Sequence, residues 1–326
     1  MLTSLAPDAF VGRTAQLSVQ DMLALSPASQ ASQDRMDDRF LLNSRDVRQR
    51  FDRAADTFDA ADFAHGVTRD GLLARMQPLR IAAKTVLDLG AATGSATPLL
   101  QKRFRRAHVV SLDLSHKMLL QRKRRRRWFT RTSSVQADAV RLPFAEATFD
   151  VVFANQLLPW VNDLAAVLAE ISRVLQKGGV LAFATLGPDS LRQLTRAWSQ
   201  VDGHTHVNHA HVHRFPDMHD IGDALVRAGL ADPVLDVDRL TVNYPDANKL
   251  FRDLTLSGSR NSLAGRRRGL LGKQQFKALV AALSEATPGA GIEIELELVY
   301  GHCWSTGPRN EPGHFHIDAT AIPRRR

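Results

Sequence analysis

The feature that most constrains the fold is a short apolar run that ends in a glycine-rich turn, residues 85–94 (TVLDLGAATG). The apolar side chains suit a strand that is covered on both faces, as strands of parallel sheets are. Gly90 and Gly94 allow a tight turn and a close approach of the backbone to a ligand, because glycine has no Cβ. The pattern predicts a buried strand, a turn, and a helix that begins near Ser95.

A carboxylate follows at the spacing that a nucleotide-binding unit requires. Asp113 ends the next apolar run, residues 109–112. In a βαβ unit, an acidic residue at about this distance from the glycine turn binds a ribose hydroxyl. The dinucleotide pattern Gly-x-Gly-x-x-Gly is missing, because residues 90–94 read GAATG. NAD is therefore a less favoured ligand.

Strand and helix patterns alternate from residue 85 to residue 185, which predicts an α/β fold with a doubly wound parallel sheet. Further strands are predicted at 134–139, 148–155 and 180–185. An amphipathic helix is predicted at 164–175. Residues 292–298 alternate strictly between apolar and acidic side chains, which predicts a strand with one buried face.

The rest of the chain is interpreted as additions to this core. Residues 1–44 have no sustained hydrophobic period and are predicted to be a disordered leader, with Met36 as a candidate for the true start. The core is assigned to residues 45–200. Residues 201–305 are predicted to form a helical substrate cap and the final antiparallel strands, with helices near 246–256 and 273–285. Residues 306–326 are predicted to be a loose basic tail.

Composition narrows the class of protein. With 44% hydrophobic and 24% charged residues, the chain resembles ordinary soluble proteins, and no run is long enough to cross a bilayer. A single cysteine, Cys303, excludes an intrachain disulfide and a thiolate-rich zinc site. We expect a cytoplasmic protein without a membrane partner. The net charge of +9 indicates an anionic partner.

The glycine turn and the strands after it resemble the motifs of class I S-adenosylmethionine (SAM) methyltransferases. In that superfamily a strand ends in acidic-apolar-Gly-x-Gly-x-Gly, and here Ala92 replaces the middle glycine. The runs at 142–155 and 173–179 are similar to later motifs of these enzymes. The resemblance implies SAM as co-substrate, a seven-stranded mostly parallel sheet, and an Asp138 carboxylate that accepts a hydrogen bond from the adenine amino group. The implied cofactor contacts are Asp88, Gly90, Ala92, Gly94, Asp113, Leu114, Asp138, Ala139 and Asn155.

A narrower resemblance covers about residues 40–305. The runs at 50–59 (RFDRAADTFD), 185–191, 217–225 and 299–304 resemble the malonyl-[acyl-carrier protein] O-methyltransferases of biotin synthesis. In that family an amphipathic N-terminal lid helix contains the first of these runs, and a lid helix is predicted here at 47–63. The resemblance implies methyl transfer from SAM to the free carboxylate of a malonyl thioester on acyl-carrier protein.

The implied reaction needs no general base, because a malonyl carboxylate is ionised at neutral pH. Arg53 and Arg192 are candidates to hold the carboxylate oxygen that does not react. Phe58, Trp160 and His206 are candidates to line the pocket. Acyl-carrier proteins are generally acidic, so two basic runs are predicted docking patches. These runs are residues 122–127, from Arg122 to Arg127, and residues 266–268, from Arg266 to Arg268.

Two other functions remain open from the sequence. The basic charge allows an RNA methyltransferase, although aromatic residues do not alternate with the arginines, so nucleic acid is not the expected partner. A SAM-binding assembly factor without methyl transfer, similar to the arginine hydroxylase that acts on mitochondrial complex I, is the other alternative. Six histidines lie between residues 204 and 219, and we interpret them as a solvated loop rather than a metal site.

Overall fold

The structure is a computed structural model that describes residues 38–124, 131–203, 210–285 and 291–307. Contacts divide the chain into two units, Met1–Asp38 and Arg39–Arg326, and the nine α-helices and seven strands of the described residues belong to the second. Most of the predicted leader and of the predicted tail lies outside the described residues. Within them, no helix has the length and apolar character needed to span a membrane.

Helices and strands alternate through the first half of the chain. The helices are α1 (Ser44–Ala54), α2 (Phe63–Met76), α3 (Thr97–Arg103), α4 (His116–Arg124), α5 (Leu164–Val174), α6 (Arg192–Gly203), α7 (Met218–Arg227), α8 (Ala247–Leu256) and α9 (Lys273–Glu285). The strands are β1 (Thr85–Leu89), β2 (His108–Asp113), β3 (Thr132–Gln136), β4 (Phe149–Asn155), β5 (Leu175–Leu186), β6 (Leu230–Tyr244) and β7 (Ile292–Ser305).

The strands form a seven-stranded sheet in the order β3-β2-β1-β4-β5-β7-β6. β1 lies in the parallel part, with Val86 opposite Val109 of β2 and Val151 of β4. β7 is antiparallel to both of its neighbours, β5 and β6. The prediction of a doubly wound, mostly parallel sheet is confirmed. Strand order reverses at β1 and β4, and such a reversal leaves a crevice at the carboxyl ends of the strands.

Alternating side chains of the sheet enter two separate cores. Val86, Val151 and Phe153 face the layer formed by α2, α3, α6, α8 and α9. Leu87 and Val152 face the opposite layer, which contains α5 and α7. These strand residues are almost completely buried, which explains why the strands read as continuous apolar runs.

Several predicted boundaries were wrong. The helix predicted at 47–63 ends at Ala54, because the Thr57 hydroxyl donates to the carbonyl oxygens of Ala54 (3.2 Å) and Leu256 (2.9 Å). The chain then makes a short 3-10 turn, Phe58–Ala60, that buries the Phe58 ring. The third strand starts and ends earlier than predicted, so Asp138 lies in the loop after it.

The second half differs more from the prediction. The long strand β6 was not predicted, because Pro233 lies near its start and its alternation of apolar and polar side chains changes phase at Asp238 and Arg239. Proline is tolerated there because β6 is an edge strand with a register shift between Ala231 and Val234. Helix α7, assigned to the cap, packs instead against α5 and β6 on the opposite face of the sheet.

The predicted lid helix is tied to the segment that follows α8. Asn43 begins the connection, since its N–H donates to the carbonyl of Ser262 at 2.9 Å. The N–H of Ala264 donates to the carbonyl of Leu41 at 2.7 Å. Arg266 completes it with an ion pair to Asp46 at 2.5 Å. These contacts join the start of α1 to residues 262–266.

Candidate active site

A small cavity of about 90 Å³ lies at the carboxyl ends of β1, β2 and β4. Seven of the nine predicted cofactor residues line it: Gly90, Ala92, Asp113, Leu114, Asp138, Ala139 and Asn155. Phe58 and Trp160, predicted for the substrate pocket, also line this cavity. The topology brings these residues together because parallel strands end at the same edge of the sheet.

Three positive φ angles shape the turn beneath the cavity. Gly90 has φ +75°, Ala92 has φ +45° and Gly94 has φ +79°. A Cβ at Gly94 would lie 2.5 Å from Cγ of Arg122, so a larger residue would displace that side chain. Ala92 adopts the left-handed conformation that a glycine would adopt without strain. The turn therefore keeps the glycine geometry although its central residue is alanine.

Asp113 connects the first two strands at the cavity. Its carboxylate accepts hydrogen bonds from the N–H groups of Ala92 (2.8 Å) and Ser115 (2.7 Å). Burial raises the pKa of Asp113 to about 6, an effect that those hydrogen bonds partly oppose and that the charge of Asp52 increases. The carboxylate is thus fixed in place and ionised at neutral pH.

Asp88 and Gly94 do not line the cavity. The Asp88 carboxylate is buried and accepts a hydrogen bond from the hydroxyl of Thr97 at 2.8 Å. Burial raises the pKa of Asp88 to about 6, while Thr97 and the charge of Arg122 act in the opposite direction. These two residues hold the turn and the start of α3 in position.

A second cavity, about 1020 Å³ in volume, adjoins the first beneath the cap. His65, Gln156 and Trp160 line both cavities. Apolar residues of the sheet and cap form much of its wall, among them Leu186, Leu194, Trp198, Leu250, Phe251, Phe276 and Leu298. Its basic part contains Arg50, Arg260, Arg266, Arg267 and Arg268. A ligand in the large cavity could therefore meet one in the small cavity at the three shared residues.

The predicted substrate residues are only partly brought together. Trp160 lies between the cavities, with its ring 4.9 Å from the Phe51 ring and 5.0 Å from the His213 ring. Arg53 is exposed and lines neither cavity, because the cavity-facing side of α1 is the side that contains Arg50. Arg192 also lines neither cavity and forms an ion pair with Asp189 at 2.7 Å. His206 lies outside the described residues.

Two predictions about charged segments need correction. Arg122 is only 6% exposed and donates to the Ser134 hydroxyl at 2.5 Å, so it belongs to the interior rather than to a docking patch. Arg125 to Arg127 lie outside the described residues.

The described histidines of the predicted solvated loop include two that line the large cavity. His211 stacks on Trp198 at 3.8 Å and pairs with Asp202 at 3.0 Å, and burial lowers the pKa of His213 to about 4.

Sequence reasoning missed Arg50, His65 and Gln156 as site residues. His65 lies on α2, which was not predicted, and burial lowers the pKa of its imidazole to about 4. Arg50 had a detectable signal, because it follows Val47 by three residues and precedes Ala54 by four. An arginine on the apolar stripe of a helix is a candidate for a buried or ligand-facing position.

Comparisons with known proteins agree with this geometry. A family model described as "Methyltransferase domain" matches residues 87–183. A malonyl-[acyl-carrier protein] O-methyltransferase of Laribacter hongkongensis is 42% identical over 282 residues, 84% of this chain and 93% of that protein. The protein of the same name from Halorhodospira halophila is 38% identical, over 87% of this chain and 97% of that protein.

This chain belongs to the malonyl-[acyl-carrier protein] O-methyltransferase family. It is a SAM-dependent methyltransferase, as the sequence predicted, and the assembly-factor alternative is not favoured. Among solved structures, the YcgJ protein of Bacillus subtilis aligns with a TM-score of 0.52 at 15% identity, over 73% of this chain and 98% of that one. At that identity the likeness shows the fold alone.

The polar groups around the small cavity suit SAM, the co-substrate of this family. Two polar atoms beside it, Oδ1 of Asn155 and Nε2 of Gln156, are buried without a hydrogen-bond partner among the described residues. An amide acceptor and an amide donor suit the ammonium and carboxylate of a methionine group. Asp113 and Asp138 add two carboxylates to the lining of the same cavity.

Proposed function

We propose that this protein transfers the methyl group of SAM to the free carboxylate of malonyl-acyl-carrier protein, forming the methyl ester. The observation that carries the proposal is the junction of two cavities at His65, Gln156 and Trp160. The smaller cavity contains the carboxylates of Asp113 and Asp138, and the larger one has room for an acyl thioester. The relatives described above carry this activity in their names.

SAM supplies a methyl group on a positively charged sulfur, and the malonyl carboxylate supplies the nucleophile. Because the carboxylate is already ionised, the protein need not remove a proton. Its contribution is to align the reacting atoms and to exclude water, since reaction neutralises both charges and a dry site favours that change. Trp160 and the uncharged imidazole of His65 suit this task at the junction.

For the cofactor side, we assign Asp113 to the ribose hydroxyls, Asp138 to the adenine amino group, and Asn155 with Gln156 to the methionine group. Gly90 and Ala92 allow the backbone to pass close beneath the ligand. Asp88 and Gly94 act indirectly, because they position the turn. Leu114 and Ala139 contribute apolar contact beside the adenosine.

For the partner, we propose that the acidic carrier protein docks at the mouth of the large cavity. Arg267 and Arg268 are exposed there, next to Leu270, which is 94% exposed. Arg266 is not part of this docking surface, because it is paired with Asp46. Complementary charge would guide association and orient the thioester arm toward the cavity.

We assign the reaction to the cytoplasm, where a lone buried thiol such as Cys303 stays reduced.

A direct assay tests the proposal. Purified protein and methyl-labelled SAM are incubated in separate reactions with one of three acceptors: malonyl-acyl-carrier protein, malonyl-coenzyme A or total RNA. We expect label on the carrier protein as a base-labile ester. The matched control is carrier protein loaded with the malonyl methyl ester, which has no free carboxylate and should accept no label. Label on RNA alone, or on none of the acceptors, would contradict the proposed function.

A further inference from the structure

The large cavity contains a cluster of positive charge that the described residues do not balance. Arg50 of α1 and Arg260 and Arg266 of the segment after α8 all line it. Asp46 forms an ion pair with Arg266 at 2.5 Å. The other charges that act on Arg50 are those of arginines. Among the described residues, Asp46 is therefore the carboxylate that acts on Arg50, because Asp253, which also lines the cavity, is paired with Lys249 at 2.6 Å.

Arg50 is destabilised by its surroundings. Its Nε atom is buried without a hydrogen-bond partner among the described residues. Burial, followed by the charges of Arg260 and Arg266, lowers the pKa of its guanidinium. A buried donor that lacks a partner destabilises a protein, and an anion bound at the guanidinium would remove that penalty.

Contacts of its neighbours locate Arg50 relative to the two cavities. Gly258, in the segment that holds Arg260, packs so closely that an added Cβ would lie 3.4 Å from the carbonyl oxygen of Arg50. On the other side, the neighbouring ring of Phe51 contacts Trp160 at 4.9 Å. The charge of Arg50 also lowers the pKa of His213, whose ring lies 5.0 Å from Trp160. Arg50 therefore lies close to the wall where the two cavities meet.

We propose that Arg50, with the field of Arg260 and Arg266, is the anion site of the large cavity and binds the malonyl carboxylate before methyl transfer. This inference rests on the proposed function. The guanidinium holds one oxygen, and the other oxygen forms the new bond to the methyl carbon while the electron pair of the S–CH₃ bond stays on sulfur. Esterification removes the negative charge of the carboxylate. Arg50 then loses its ionic partner. The ester therefore binds more weakly than the acid does and is released.

A second anion could reach the same cluster, because the prosthetic arm of a carrier protein contains a phosphodiester. The two sources are separated with malonyl-pantetheine, a substrate that keeps the carboxylate and lacks the phosphate. If Arg50 binds the carboxylate, its removal must impair methylation of both malonyl-pantetheine and malonyl-acyl-carrier protein. If it binds the phosphate, only the carrier-protein substrate is impaired.

The experiment compares Arg50→Gln with Arg48→Gln, which removes the same charge from an exposed position of the same helix. We expect Arg50→Gln to lower kcat/KM about 10- to 100-fold with both substrates, as loss of a charged hydrogen bond does. Most of the change should be in KM. Affinity for SAM and for the malonyl methyl ester product should stay unchanged, which a merely structural role of Arg50 would not predict. Arg48→Gln should behave as wild type.

Arg50→Lys is the second variant, because it keeps the charge if Arg50→Gln folds poorly. It should retain part of the activity with KM raised, since lysine keeps the charge but lacks the planar guanidinium that directs its N–H groups at the oxygen. Equal kcat/KM for wild type, Arg50→Gln and Arg50→Lys would overturn the inference, as would a loss confined to the carrier-protein substrate. A wild-type protein that methylates neither substrate would overturn the proposed function itself, and this inference with it.

Discussion

The carboxylate of Asp113 accepts a hydrogen bond from the backbone N–H of Ala92 at 2.8 Å. This bond ties the end of β2 to the turn that follows β1, across 21 residues of sequence. It holds Ala92 in a left-handed conformation, φ +45°, and it fixes the carboxylate at the edge of the small cavity. The glycine motif and the acidic residue are thus one structural unit.

SAM binding should depend on the ionisation of Asp113. Burial raises its pKa to about 6, so the carboxylate takes up a proton as the pH falls through 6 and becomes a poorer acceptor. We expect SAM affinity, measured by calorimetry between pH 5 and 8, to weaken below pH 6. Asp113→Asn should bind SAM about tenfold more weakly at pH 7.5 and lose most of this pH dependence. Asp223→Asn, at an exposed site on α7, should keep the wild-type profile.

Asp88 should make the protein without bound SAM less stable at neutral pH. Its pKa is about 6 in the folded protein and about 3.9 in an unfolded chain, so the folded protein binds the proton more tightly. Stability therefore falls as the pH rises from about 4 to about 6 and stays lower above that range. Asp88→Asn should raise the free energy of unfolding at pH 7.5 by about 1 to 3 kcal/mol. Urea denaturation at pH 7.5 and pH 4 measures this, and a difference of the same size at both pH values would contradict it.

Ala92→Gly should be nearly neutral for stability. Relief of the left-handed alanine gains about 1 kcal/mol, and the greater freedom of glycine in the unfolded chain offsets about half or more of it. SAM affinity should rise modestly, because a methyl group leaves the cavity wall. Ala147→Gly is the matched control, since Ala147 also has a positive φ (+49°) but is exposed and lines neither cavity. A large drop in melting temperature for Ala92→Gly alone would show that its Cβ has a packing role.

Charge reversal at the cavity mouth should impair docking and leave chemistry intact. For Arg267→Glu with Arg268→Glu, we expect KM for malonyl-acyl-carrier protein to rise about tenfold, with a weaker dependence on salt. The KM for malonyl-pantetheine should not change. Arg227→Glu is the matched control. Arg227 is exposed on α7, a helix that packs against the other face of the sheet. An equal loss with both substrates would place these arginines in the pocket rather than at a docking surface.

Residues 85–185 were predicted well because their information is local. Most strands there contain a continuous apolar run and the helices between them have their own period, so the order of elements implies a parallel sheet. Seven of the nine proposed cofactor residues line one cavity for the same reason, since they end neighbouring parallel strands. The long strand β6 was missed because it contains a proline near its start and its alternating pattern changes phase at Asp238 and Arg239.

The substrate side could not be predicted in this way. Arg53 was chosen on α1, yet Arg50 lines the cavity. The helical period of Val47, Phe51 and Ala54 places Arg50 on the buried stripe, so that part of the answer was present in the sequence. The charges that surround Arg50 could not be predicted from the sequence, because Arg260 and Arg266 lie more than 200 residues away in the chain.

The sequence by itself determined the order of strands and helices, the glycine turn, the carboxylate of Asp113 and the family. Each of these depends on side chains that are close in the chain or repeat with a fixed period. Only the tertiary structure decided which charges surround Arg50, that Arg122 is buried, and that the two cavities meet at Trp160. Those features depend on contacts between distant segments, above all between α1 and residues 257–266, and no local pattern encodes such contacts.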